Sequence, residues 1–387
     1  MRKIEAQRTT QNGSGAFLAV LFFISIVQFI AVTLWEDGTF SQMVLQAKLR
    51  ALNYTVEAET YIKENGLSEE VVAKGMRSDF LQLSIEDRVF DVAYFEDYYE
   101  IPKRNNTDYA TSVRELLDTG YRPAEINCIY RVLSDENIDL LTQIVYYDKL
   151  VNMLVLPYFR ETRLHRYILY ADENPQFSME DVVTYVDLDL DKENYYEALA
   201  VGDPNSIDVL LTKHRCLPDG FVPQNLITID EQYNPNGWSL SSEAAMQFEA
   251  LCAAAEEDGI LLRVGSAYRA EADQRSVYDS YLSELGEDAG ALRVAVPDFS
   301  EHQTGLAVDV WNLSDFAIAE DSEEWWWMQE NAMRFGFVQR YEPGKEYITG
   351  YQAESWHYRY LGVALATEVS RSGLTVDEWL IRQNPDR

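Results

Sequence analysis

Two histidines, an aspartate and a glutamate stand in two short stretches late in the sequence. SEHQTGLAVDV (residues 300–310) carries His302 and Asp309, and AESWHYRYLG (353–362) carries Glu354 three positions before His357. From Leu306 the first stretch alternates like a strand, with Leu306, Val308 and Val310 on one face and Ala307, Asp309 and Trp311 on the other. An ionised carboxylate in such a strand is costly to bury without a partner. Two imidazoles and a carboxylate suit Zn²⁺, and three protein ligands leave a fourth position for water, whose pKa falls toward about 7. Glu354 is then the adjacent carboxylate able to take its proton. The same residues also fit a hydrogen-bonded core cluster without metal. In a regular strand Glu354 and His357 face opposite ways, so the segment must turn between them.

The elements around these residues read as a mixture of short helices and strands. SSEAAMQFEALCAAAEEDG has a serine cap, Phe248, Leu251, Cys252 and Ala255 at helical spacing, and Gly259 as its stop. ILLRVGSAYR follows as a strand and turn, and ADQRSVYDSYLSELG as a second helix. Asp321 and Glu324 form a capping-box pattern before WWWMQENAMRFG. With no repeated βαβ pattern, the fold class is α+β. Upstream, the stretches beginning at Glu64 and Asp118 look like two diverged helix–turn–helix units. Ser84 and Ser134 open their second helices, and Pro123 lies in a first turn. In VDLDLDKENYYEAL (186–199), Asp187, Asp189 and Asp191 mimic a calcium loop. Lys192 takes the required glycine position, however, and Ala198 that of the closing glutamate, so the alternation reads as a half-exposed strand.

The chain has 387 residues, 47% hydrophobic and 25% charged, with a formal net charge of -33. Such an excess of acid excludes nucleic acid and anionic headgroups as electrostatic partners. Arg2, Lys3 and Arg8 precede an uncharged apolar run, residues 16–35, and Glu36 and Asp37 follow it. That run has the length of a membrane-crossing helix, and the flanking charges place the N-terminus inside and the body outside. A cleaved signal peptide is the rival reading, disfavoured by the long apolar run and the lack of an A-x-A-like site. Cys128, Cys216 and Cys252 form no CxxC spacing and no disulfide scaffold.

SAYRAEADQ (266–274), SEHQTGLAVDV and ITGYQAESWHYRYLG (348–362), in this order, resemble the VanY-like zinc D-alanyl-D-alanine carboxypeptidases, which trim peptidoglycan stem peptides. The resemblance spans about residues 180–365, and its elements SxYR, SxHxxGxAxD and ExxH are specific. It implies a small antiparallel sheet flanked by helices, with His302, Asp309 and His357 as zinc ligands and Glu354 as catalytic base. Arg269 would stabilise the oxyanion, and Ser300 and Gln274 would line the substrate site. The sequence departs from the family at Ala267, Asp298 and Ser355, where glycine, glycine and proline are usual.

The resulting organisation is a cytoplasmic tail (1–15), a transmembrane helix (16–35), a mainly helical extracellular region (36–178) and a zinc peptidase domain (179–387). The expected partners are stem peptides and, through residues 16–35, the membrane. An L,D-carboxypeptidase, an endopeptidase and a non-catalytic zinc-containing wall-binding module remain alternatives, and the oligomeric state stays open.

Overall fold

The computed structural model describes residues 38–100, 109–195, 197–314 and 316–386. The chain divides into two units, Met1–Val151 and Asn152–Arg387. The division falls earlier than the 178/179 boundary read from sequence, because the segment after residue 152 is bonded into the second unit. Arg163 donates to Asp187 and to the carbonyl of Pro385, and Arg382 donates to Thr184. Residues 16–35 lie outside the described residues, and among the described residues no helix is long and apolar enough to cross a membrane.

The described part of the first unit is helical, with α1 (Thr39–Ala51), α2 (Val56–Glu64), α3 (Ser68–Lys74), α4 (Asp79–Glu86), α5 (Tyr109–Thr119), α6 (Pro123–Val132) and α7 (Asp135–Thr142). The two similar stretches of sequence fold as the pairs α3–α4 and α6–α7. Ser134 caps α7 by accepting from the backbone of Asn137. Ser84 does not open a helix. Gly75, in the left-handed region, ends α3, and Ser78 caps α4. Ser84 instead lies inside α4, buried, with its hydroxyl returned to the carbonyl of Phe80.

The second unit is built on a four-stranded antiparallel sheet of β3 (Leu262–Ser266), β4 (Ala307–Asn312), β5 (Phe337–Tyr341) and β6 (Glu354–Tyr360), in the order β3-β4-β6-β5. A separate hairpin joins β1 (Leu226–Thr228) to β2 (Ser239–Ser241). Its longer helices are α8 (Leu164–Glu173), α9 (Met179–Asp187), α10 (Ser242–Glu257), α11 (Glu271–Leu285), α12 (Glu323–Asn331), α13 (Val363–Ser372) and α14 (Val376–Gln383). Phe248 and Leu251 of α10 share one core with Val264, Val308, Val310 and Phe337. Val338 joins a second core with Tyr185, Val369 and Leu380. The period-two alternation of β4 thus buries its valines against α10 and leaves Asp309 to the other face.

Two local expectations are corrected. The VDLDLD run is no strand: it is the end of α9 and the turn beyond it. Arg163 holds Asp187 at 2.7 Å, and Arg166 reaches Asp189 and Asp191, each at 2.8 Å, so these carboxylates are spent on ion pairs. At α12 the cap is Ser322, whose hydroxyl accepts from the backbone of Trp325, rather than Asp321. All three cysteines are free thiols.

Candidate metal centre

His302 sits in a single 3₁₀ turn, Glu301–Thr304, closed by Gly305 at φ 70°. A side chain at 305 would be strained at that φ, and its Cβ would lie 2.8 Å from Leu226. The Nδ1–H of His302 donates to the carbonyl of Ala267 at 2.7 Å, which leaves Nε2 as the free nitrogen. The β4–β6 register then sets Asp309 directly opposite His357. Asp309 Oδ1 lies 3.4 Å from His302 Nε2 and 3.2 Å from His357 Nδ1.

Glu354 reaches the same cluster because β6 is irregular. Gln339 pairs with Tyr358 and Tyr341 with Glu354, so two steps along β5 match four along β6. The extra residues break the alternation that would set Glu354 and His357 on opposite faces. Glu354 Oε2 ends 3.6 Å from His357 Nδ1. Ser355, at the irregularity, donates its hydroxyl to the carbonyl of Ile318 at 2.6 Å and so pins the turn where proline is usual.

Three ligand atoms from His302, Asp309 and His357 lie within 4.8 Å of one another. Asp309 Oδ1 is buried and makes no hydrogen bond, as an atom reserved for a cation would be. Two nitrogens and one carboxylate oxygen, with no lysine or arginine bonded to Asp309 among the described residues, fit a zinc ion. Burial works to raise the Asp309 pKa, but the two imidazoles hold it well below the usual range. Burial lowers that of His302. Burial also acts to lower that of His357, yet Asp309 and Glu301 together push it up to about 9. For Glu354 burial dominates, with Asp309 adding to it against His357 and Arg269, and pushes the carboxyl up to about 7. That is the range suited to a general base.

Behind the centre lies a charged network for which the sequence reading assigned no role. Glu301 Oε2 faces His357 Nε2 at 3.6 Å. Glu301 Oε1 accepts from Arg340 Nε and Arg359 Nη1, each at 2.8 Å, and Arg340 forks onto Asp377 of α14. All four charged side chains are buried. A carboxylate behind a ligating imidazole fixes its orientation and raises its basicity. The available signals were isolated: Glu301 beside His302, and lone arginines in the aromatic runs FVQRY and HYRY. Glu301→Gln should lower zinc affinity by about 10–100-fold. It also leaves buried Arg359 without its carboxylate partner, while Arg340 keeps Asp377, a loss of about 3–5 kcal/mol. Competition with a chelator and denaturant titration measure the two effects separately.

Arg269 follows β3. Its backbone N–H donates to the carbonyl of His302 at 3.1 Å, and its guanidinium donates to Gln274 Oε1 at 2.8 Å and Ser266 Oγ at 2.9 Å. Gln274 is buried and donates in turn to the carbonyl of Ala295 at 2.7 Å. Its amide therefore holds Arg269 in place. Gln274, Ser300 and Arg269 line one cleft with His302, Asp309, Glu354 and His357. Asp298, where the resembling sequences usually have glycine, adopts the left-handed conformation, φ 70°, and exchanges two hydrogen bonds with Gln303.

Residues 237–363 match the VanY family, described as D-alanyl-D-alanine carboxypeptidase. The bifunctional D-Ala-D-Ala dipeptidase and D-Ala-D-Ala carboxypeptidase VanXYC of Enterococcus gallinarum is 32% identical over 178 residues, 44% of this chain and 91% of that protein. A D-alanyl-D-alanine carboxypeptidase of Enterococcus faecalis is 37% identical over 154 residues, 38% of this chain and 57% of its own length. Among solved structures, the LdcB LD-carboxypeptidase is 32% identical with a TM-score of 0.44, over 48% of this chain and 90% of its own. A mutant of the vancomycin-resistance D,D-pentapeptidase VanY in complex with Zn(II) is 32% identical with a TM-score of 0.40, over 46% and 99%.

Proposed function

Because this chain belongs to the VanY family of D-alanyl-D-alanine carboxypeptidases, we propose that it is a zinc-dependent hydrolase removing the C-terminal D-alanine from peptidoglycan stem peptides. The observation that carries the reading is the convergence of His302, Asp309 and His357 within ligand distance of one another, with Glu354 beside them.

His302, through Nε2, and Asp309 and His357 hold the metal. Zinc, when bound, supplies Lewis acidity toward a carbonyl oxygen and lowers the pKa of a water. Glu354 takes a proton from the attacking water as its oxygen bonds to the scissile carbonyl carbon. The same carboxyl then returns the proton to the amine of the departing D-alanine as the C–N bond breaks. The pair of products is a shortened peptide acid and free D-alanine, and no covalent link to the protein forms. Arg269, held by Ser266 and Gln274, stabilises the negative charge that develops on the carbonyl oxygen only in the transition state.

The location proposed with this activity is the outer face of a membrane, with residues 16–35 as a single anchor and the peptidase unit outside, beside its polymeric substrate. The charges around that segment and its length support the placement. The helical unit is proposed as the spacer between anchor and enzyme.

The test is product analysis. Zinc-loaded protein is incubated with pentapeptide and tetrapeptide stems and the products are identified by mass spectrometry. Loss of one D-alanine from the pentapeptide alone is expected. Loss from the tetrapeptide would move the assignment to L,D cleavage, and no loss from either with zinc bound would overturn the reading.

A further inference from the structure

Arg293 lines the cleft that holds His302, Asp309, Glu354 and His357, yet has no part in the chemistry above. It is exposed. Its Nε donates to Gln352 Oε1 at 2.9 Å, and the backbone N–H of Gln352 donates to the carbonyl of Leu292 at 2.8 Å. These two bonds tie the arginine to the segment leading into β6, so its position is fixed relative to Glu354 two residues further on. The two terminal nitrogens of the guanidinium have no carboxylate partner among the described residues.

The chain has 65 acidic residues against 32 lysines and arginines. Arg114, Arg131, Arg163, Arg166 and Arg340 are all paired with carboxylates. The carboxylates of the cleft are committed elsewhere: Glu301 to Arg340 and Arg359, and Asp309 to the metal-ligand set beside Glu354. An unpaired planar fork on the wall of such a cleft matches one kind of group, a carboxylate brought by the ligand. Arg269 is committed to Ser266 and Gln274, which leaves Arg293 as the accessible fork.

We propose that Arg293 binds a carboxylate of the substrate peptide and thereby selects which peptides enter the cleft. The proposal rests on the peptidase reading for the identity of the ligand. The carboxylate has two possible sources: the free C-terminal α-carboxylate, or the side-chain carboxylate of a diacid residue on the N-terminal side of the scissile bond. The first would make Arg293 the residue that favours carboxypeptidase over endopeptidase action. The second would make it a reader of the cross-linking residue.

Binding rather than turnover tests this. In the zinc-loaded full chain carrying Glu354→Gln, calorimetry gives Kd for acetyl-Lys-D-Ala-D-Ala, for its C-terminal amide, and for the counterpart with diaminopimelate in place of lysine. The measurements are repeated with Arg293→Gln and Arg293→Lys added. Arg293→Gln is expected to weaken binding by about tenfold for a peptide bearing the recognised carboxylate, and by less than about twofold for its partner lacking it. The pair that shows the difference identifies the source. Arg293→Lys, which keeps the charge and loses the fork, should recover part of the loss. Equal losses on all three peptides, no loss on any, or no binding by any of them overturns the proposal. The two readings fail separately. Peptides bound with this Arg293 dependence but never cut by the unsubstituted protein would remove the peptidase activity and keep the receptor. Release of D-alanine with unchanged Kd in Arg293→Gln would do the reverse.

Discussion

Glu354→Gln should leave one zinc ion bound per chain and lower kcat on the pentapeptide by about 10²–10⁴-fold, the contribution of a positioned general base. The two side chains have the same shape, and Glu354 is set apart from the ligand set by chemistry as well as position. It stands 3.6 Å from His357 on the far side of the β6 irregularity, whereas Asp309 sits between the two imidazoles. The substitution also removes a half-buried carboxylate whose ionised form desolvation disfavours, so the melting temperature of the metal-free protein should not fall. Zinc analysis by mass spectrometry, steady-state kinetics and calorimetric melting read the three outcomes. Retained turnover would take Glu354 out of the proton-transfer role, while loss of zinc would make it a ligand.

His302→Ala has a different signature. It deletes one of three ligands, and because Asp309 is already shared between His302 and His357, no remaining side chain can replace the missing nitrogen. Zinc should be absent from the purified protein and turnover lost with it. The carbonyl of Ala267 also loses its partner, a cost of about 1–3 kcal/mol in the metal-free protein. A variant that keeps full zinc would place the metal elsewhere. Glu354→Gln and His302→Ala together separate holding the metal from using it: the first is inactive with zinc, the second inactive without.

The parts of this architecture that were legible from sequence are those written in local pattern. Val308 and Val310 alternate with Asp309, and the alternation alone sets the aspartate on the opposite face from the valine core. Phe248, Leu251 and Ala255 repeat at helical spacing, and they bury against the sheet. The zinc ligands stood out because histidine and aspartate are chemically conspicuous among small and apolar neighbours. The β6 irregularity was inferable only as a requirement, since Glu354 and His357 had to share a side; its location depends on pairing with β5, which no local pattern in β6 records. Capping choices failed where two candidates stood close together. Ser322 rather than Asp321 starts α12, and Ser78 rather than Ser84 starts α4, where Tyr54 and the carbonyl of Tyr98 bond to Ser78 from distant parts of the chain. The Glu301 network escaped for a related reason. Its arginines lie 39 and 58 positions away along the chain, and a buried carboxylate cannot be told from a solvated one until its partners are in place.

Every residue of the candidate catalytic centre lies in the second unit, Asn152–Arg387.

The most direct measurement is a zinc titration of the metal-free protein, with D-alanine released from a pentapeptide stem recorded at each step. The account predicts that the rate rises in proportion to zinc and breaks sharply at one equivalent per chain. A rate independent of zinc, or no D-alanine at full occupancy, would contradict it.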